Sequence, residues 1–366
     1  MAKDKAASKT KTEKDSSERV PGAVLVTVIT LGVLFLLSVW LVILAVPRFA
    51  SEKPAGSGET EENGYETEDE NAVHPYATSA HRDSYLCEIS DTTQLIQTPI
   101  NAQAAVLVDL GDYHALSSLH ANEKIFPASL TKVMTLLVVC DRITDLDRTV
   151  TVTREMLDPL KGTGASVMSL SEREIVPIRT LLYGLILKSG GDAAIVLADI
   201  TAGSEESFVE LMNRKAQQMG LSQTHFTNCT GLHDDNHYTT CREMAAIFAY
   251  ALDNDLARTV LTTTECNMPS YYEKDISYYF KAGWYTNFLD YGLSLKLDNG
   301  LTVFGGKTGY TADTYDEQGK VQKNHCLVTC AKDGSGHTYV LVTAGGTGYP
   351  KDRAQDAVKV YTSYVK

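Results

Sequence analysis

Between Arg19 and Arg48 the chain carries no charged residue, and the run from Ala23 to Val46 (AVLVTVITLGVLFLLSVWLVILAV) is apolar apart from Thr27, Thr30 and Ser38. As a helix it measures about 36 Å at about 1.5 Å per residue, long enough to cross a bilayer with some tilt. A signal-peptide core is shorter, and no small-x-small cleavage site follows, only Leu44-Ala45-Val46-Pro47. The run therefore predicts an uncleaved transmembrane anchor, with a cleaved signal peptide as the alternative. Lys3, Lys5, Lys9, Lys11, Lys14 and Arg19 precede it, whereas only Arg48 and Lys53 stand just behind it. The positive-inside bias places the N-terminus in the cytoplasm and everything after Arg48 outside, as a single-pass membrane protein.

This reading divides the chain into a basic cytoplasmic tail over 1–22, the anchor over 23–46, an acidic linker over 47–84 and one folded unit over 85–366. The linker is rich in Glu, Asp, Gly, Ser and Thr and nearly free of large aliphatic residues. Such a stretch cannot repay its ordering entropy and is predicted to be a flexible tether. With 43% hydrophobic residues in the chain, the folded unit has ample material for a core. A formal net charge of −13 argues against a nucleic-acid partner. Neither a phosphate loop nor a dinucleotide fingerprint is present, and no cofactor is expected. The seven cysteines form no metal-ligand spacing, and their odd number leaves at least one unpaired within the chain. A Cys229–Cys241 disulfide and buried free thiols both remain open, the thiols being favoured.

The folded unit reads as strands at both ends with helices between. The run Ala104–Leu110 (AAVLVDL) reads as a buried strand, and Asp112–Leu116 as the start of a partner across a Gly111 turn. A helix is expected from Leu130 to Leu146, apolar around most of its surface and so central to the core. Further helices are predicted over 178–187, 192–201, 205–219 and 241–252. Strands return at Leu301–Phe304, Cys326–Cys330 and Thr338–Thr343, and Tyr349–Val365 closes the chain as a helix. A sheet built from the two ends and enclosing a helical region follows from this order.

Ser129 and Lys132 stand three residues apart where the central helix begins, so both leave the same helix face. A serine hydroxyl needs a base to become a nucleophile, and a lysine kept neutral can serve. Alone the pair is an ordinary solvated Ser and Lys. It is followed, however, by Ser189-Gly190-Gly191 and then by Lys307-Thr308-Gly309. Ser-x-x-Lys, a Ser-led triplet and Lys-Thr-Gly in that order form the signature of serine β-lactamases and penicillin-binding proteins. Over Asn101–Gly346, roughly two thirds of the chain, the sequence resembles the low-molecular-weight penicillin-binding proteins, the serine-type D-Ala-D-Ala carboxypeptidases of bacterial peptidoglycan metabolism. The phrases FPASLTKVMT (Phe126–Thr135), LLYGLILKSGGDAA (Leu181–Ala194), HFTNCTGL (His225–Leu232), His237-Tyr238-Thr239-Thr240, Thr286-Asn287 and GGKTGYT (Gly305–Thr311) carry the likeness.

The resemblance implies a β-lactamase/transpeptidase-like α/β (α+β) fold, an antiparallel sheet flanked by helices with a mainly helical lobe. It implies a penicillin-binding enzyme that removes the terminal D-alanine of peptidoglycan stem peptides ending in D-Ala-D-Ala, with β-lactams as inhibitors. Ser129 is then the nucleophile and Lys132 its base, its pKa lowered by burial or by a neighbouring cation, a part that Lys307 can play. Ser189 relays a proton to the leaving amine. Thr308 with Lys307 receives the substrate carboxylate, the amides of Ser129 and Tyr310 form the oxyanion hole, and Gly309 lets the substrate lie against the strand. Members of this family commonly attach to membranes through a C-terminal amphipathic segment; here the N-terminal span is expected to anchor the chain.

Two departures stand out. The middle motif usually ends in Asn, but here Gly191 offers no amide to a substrate carbonyl, and Asp192 is either its substitute or a first-turn acid. The chain also inserts Asp313–Asn324 (DTYDEQGKVQKN), read as a solvent loop. Gly191 motivates the alternative of a catalytically weak peptidoglycan-binding homologue. A β-lactamase is a third reading, disfavoured because no Glu-x-x-x-Asn deacylation motif is evident. His225, His233 and His237 invite a metal reading, but the intervening Asp234-Asp235-Asn236 reads as a loop, so structural histidines are expected.

Overall fold

The computed structural model of the chain describes residues 84–366 apart from 273 and 316–320. The expected basic tail, apolar span and nearly all of the acidic linker lie outside these residues. Among the described residues no helix is long and apolar enough to cross a membrane.

In chain order, β1 (Gln94–Leu95), β2 (Ala104–Asp109) and β3 (His114–Leu119) open the unit. A 3-10 turn (Ala128–Thr131) leads into α1 (Lys132–Cys140), followed by β4 (Thr149–Thr151), α2 (Arg154–Leu157) and β5 (Ile175–Pro177). Next come α3 (Ile178–Leu187), α4 (Gly191–Ala202), α5 (Glu205–Gln218), α6 (Cys241–Asp253) and α7 (Asp255–Thr262). The hairpin β6 (Glu265–Tyr272) and β7 (Lys274–Lys281), then α8 (Gly283–Leu289), lead to β8 (Thr302–Tyr315), β9 (Val321–Lys332), β10 (Thr338–Gly346) and α9 (Pro350–Tyr364).

The expected sheet of both chain ends is present, in the order β1-β3-β2-β10-β9-β8. β10 lies antiparallel to β2 with Val342 opposite Val106, so the last strand pairs directly with one of the first. Both faces of this centre are covered, which is why its strands are runs of apolar residues rather than alternating ones. Thr329 faces Tyr361 of α9, whose hydroxyl donates to the Thr329 carbonyl at 3.0 Å. Cys326, three residues earlier and on the opposite face, is close enough to Cys241 of α6 to affect its titration. At the C-terminal end, the Asp356 carboxylate accepts the backbone amides of Asn101 (2.9 Å) and Ala102 (3.0 Å), tying α9 to the entry of β2.

Every residue of α1 is buried, since helices α3 to α7 pack around it. It ends at Cys140 rather than at Leu146. Asp141 instead pairs with Lys215 of α5 at 2.7 Å, and the Asp145 carboxylate turns the chain by accepting from the amides of Asp147 and Arg148. A second sheet, β4-β5-β6-β7, was not expected from the sequence. Of the insertion at 313–324, residues 316–320 lie outside the described residues. On either side of them, where a loop was expected, Thr314 pairs with Gln322 and Tyr315 with Val321, so β8 and β9 extend into it. All seven cysteines are free thiols, six of them buried, and the Cys229–Cys241 disulfide does not form.

Candidate active site

Ser129 sits on a turn held from outside. Ala128 has a φ of 49°, in the left-handed region that strains a residue bearing a Cβ, and no side chain caps either the 3-10 turn or α1. Two glycines close on it. A Cβ at Gly231 would fall 2.0 Å from the Ala128 carbonyl oxygen, and one at Gly309 would fall 2.9 Å from that of Pro127. The loop before Leu232 and the Lys-Thr-Gly strand can therefore both touch the turn only as glycines. This contact brings the first and third motifs together.

Lys132 is 2% exposed, and its Nζ donates to Ser129 Oγ at 3.1 Å and to the Thr230 carbonyl at 2.5 Å. Burial lowers its pKa to about 8, against smaller opposing effects of Cys229 and Asp192. The loop that accepts from Lys132 is folded around the Asn228 side chain, whose Oδ1 accepts from the amides of Thr230, Gly231 and Leu232. Thr135 Oγ1 donates to the Cys229 carbonyl at 2.7 Å and fixes the same loop to α1.

Lys307, on β8, is equally buried and donates to Ser189 Oγ at 2.9 Å and to the Thr308 carbonyl at 2.8 Å. Its pKa is lowered well below the usual lysine range by burial, then by the charges of Lys132 and Arg353. Of the two expected causes of a lowered Lys132 pKa, burial is the larger. Ser189 itself has a φ of 57°, a second strained non-glycine residue in the motifs. Both serines are partly exposed while the two amines are buried; Thr308, next in sequence to Lys307, is half-buried, and Tyr310 is exposed.

Arg353, on α9, had no local signal in the sequence. It donates to the Gly309 carbonyl at 2.8 Å and to Asn287 Oδ1 at 3.4 Å, while its Nε is buried without a hydrogen-bond partner. Burial draws its pKa down to about 10, so it stays cationic at neutral pH beside Lys307.

Gly191 opens α4, and its amide donates to the Ser166 carbonyl at 2.7 Å. A Cβ there would meet Leu160 Cδ1 and that carbonyl oxygen, both at 3.2 Å, so the neighbouring loop already fills the space. Asp192 does not substitute for the missing amide. Its buried carboxylate accepts from the amides of Met168, Ser169 and Leu170 at 2.8 to 3.0 Å, clamping that loop. The three histidines turn to different partners: His225 Nδ1 bonds the Asn236 carbonyl, His233 packs edge-on against Phe126, and His237 bonds Thr131.

Residues 91–346 match the D-alanyl-D-alanine carboxypeptidase family. The chain belongs to this family. Among its relatives, D-alanyl-D-alanine carboxypeptidase DacF of Bacillus subtilis is 29% identical over 71% of this chain and 61% of its own length. D-alanyl-D-alanine carboxypeptidase DacA of Escherichia coli is 31% identical over 78% of this chain and 66% of its own length. The alignments thus span somewhat under two thirds of these two relatives. The crystal structure of the Streptomyces K15 DD-transpeptidase superposes with a TM-score of 0.62 at 28% identity, covering 73% of this chain and 98% of that one. Penicillin binding protein 5 of Haemophilus influenzae gives 0.59 at 28% identity, covering 72% and 70%. The mixed sheet with its helical lobe is therefore the fold of the DD-peptidases, as expected.

Proposed function

We propose that this D-alanyl-D-alanine carboxypeptidase family member removes the terminal D-alanine from peptidoglycan stem peptides through an acyl-enzyme on Ser129. The observation that carries this reading is the pair of buried amines, each bonded to a serine: Lys132 to Ser129 at 3.1 Å and Lys307 to Ser189 at 2.9 Å. Neutral Lys132 takes the Ser129 proton, and Oγ attacks the carbonyl of the penultimate D-alanine. The amides of Ser129 and Tyr310 stabilise the oxyanion. The Ser189–Lys307 pair returns a proton to the leaving amine, D-alanine departs, and water then hydrolyses the ester. Thr308, Lys307 and Arg353 together supply donors and positive charge for the terminal carboxylate. β-Lactams acylate the same hydroxyl by opening of their ring.

The full chain incubated with diacetyl-Lys-D-Ala-D-Ala is expected to release free D-alanine. Benzylpenicillin is expected to add its whole mass to the tryptic peptide bearing Ser129. Binding of muropeptide without D-alanine release would favour a weak peptidoglycan-binding homologue instead, the reading motivated by Gly191.

The uncharged run Ala23–Val46 with its basic N-terminal flank supports single-pass anchoring with residues 85–366 outside the cytoplasm. Protease added to intact spheroplasts is expected to remove the penicillin-labelled unit. Protection of that unit until lysis would reverse the orientation.

A further inference from the structure

His237 is 2% exposed and lies against the nucleophile's turn rather than in the cleft. Its Nδ1 faces two donors, the Thr227 amide at 3.1 Å and the Thr227 hydroxyl at 3.3 Å. That nitrogen therefore accepts, the ring proton resides on Nε2, and Nε2–H donates to Thr131 Oγ1 at 2.7 Å. Burial lowers the imidazole pKa to about 4, which keeps this neutral tautomer in place at ordinary pH. Thr131 is the residue between Ser129 and Lys132 that bears a buried hydroxyl.

The backbone around His237 is fixed to the same turn. Thr239 exchanges both backbone hydrogen bonds with Ile125, four residues before Ser129, at 2.8 and 3.0 Å. The Phe226 ring packs edge-on to the imidazole with centroids 5.5 Å apart. Since the turn has a strained Ala128 and no capping side chain, its orientation depends on what grips it from outside. Gly231 and Gly309 grip the backbone before Ser129, and His237 grips the side chain after it.

We propose that His237 is a positioning residue for acylation: its Nε2–H···Oγ1 bond to Thr131 fixes the turn so that Ser129 Oγ stays within reach of Lys132 Nζ. This inference rests on the acyl-enzyme reading above, which wild-type labelling at Ser129 tests separately. The charged and titratable groups facing the imidazole are Asp234, His225, His233 and Lys132. Of these, Lys132 reports on the site through the acid limb of the acylation profile.

The test measures acylation of the full chain by a fluorescent penicillin between pH 6 and 10 for wild type, His237→Ala, His237→Gln and Thr131→Val. His237→Ala is expected to slow acylation about tenfold or more, because a small misplacement of reacting groups costs that much. Water admitted beside Lys132 should also move the acid limb up by about half a unit. His237→Gln, whose amide can accept from Thr227 and donate to Thr131, is expected to restore both rate and limb. Thr131→Val should reproduce the alanine defect, and it decides the matter should His237→Ala fail to fold. Unchanged acylation in Thr131→Val, or a His237→Ala rate reduced only in proportion to the folded fraction with the limb unmoved, would overturn the proposal.

Discussion

Lys132→Met is expected to slow acylation of Ser129 by about 10³-fold or more, whereas Ser129→Ala, with no hydroxyl to acylate, should not be labelled at all. The side chain is fully buried, and its pKa near 8 leaves roughly a tenth of it neutral at pH 7, against roughly three in ten thousand for an ordinary lysine. Only the neutral amine can accept the Ser129 proton. Acylation by wild type should therefore rise with pH and level off above about 8. A flat profile from pH 6 to 9, or penicillin labelling that survives in Lys132→Met, would assign the base to another group.

The same substitution has an opposite effect on stability. Because the folded pKa lies below the unfolded one, burial of charged Lys132 costs stability throughout the range below pH 8. The cost is relieved as pH rises from about 8 towards 10.5, where the unfolded chain still holds a proton that the folded one lacks. Methionine removes a penalty of up to about 3 kcal/mol, offset in part by an unpaired Thr230 carbonyl. The inactive variant is thus expected to melt at a higher temperature than wild type at pH 7, and the difference should shrink towards pH 10.

Gly231→Ala should be nearly as damaging to activity, for a steric reason. The residue has a φ of 82°, and its new methyl would lie 2.0 Å from the Ala128 carbonyl oxygen. Relief requires the turn or the Asn228 loop to move, and either motion displaces Ser129 or the carbonyl that holds Lys132. An acylation loss of about 100-fold and a destabilisation of about 2–4 kcal/mol are expected. Gly220→Ala is the matched control. Its φ is 73°, yet nothing lies within 4 Å of the added methyl. Only the backbone strain of about 1–2 kcal/mol should appear there, with acylation intact. Equal acylation rates for the two variants would show that contact with the turn is immaterial.

Much of this arrangement was legible in the residues because its signals are local. Ser129 and Lys132 share a helical turn, so their spacing alone places them together, and α3, α4, α6 and α9 fall within a residue or two of the periodic apolar patterns. The hairpin β6–β7 was missed since its tyrosines and Pro269 break a simple apolar alternation, and the polar β8–β9 extension reads as a loop when no apolar face marks it. Arg353 could not be found from its neighbours: its partners are Gly309 and Asn287, brought to it only by the packing of α9. The fate of Asp192 was equally hidden, because the amides it binds lie more than twenty residues away.

The clamp formed by α9 sets an order of events in synthesis. Arg353 holds the Gly309 carbonyl, and Asp356 holds the amides at the start of β2, so the last helix fastens the first central strand and the third motif at once. A nascent chain that has exposed Ser129, Lys132 and Ser189 still lacks the strand that completes them, and that strand lacks its fastening. The site is therefore expected to form only after Arg353 and Asp356 have been made, so acylating activity depends on a segment far along the chain from the serine that carries it.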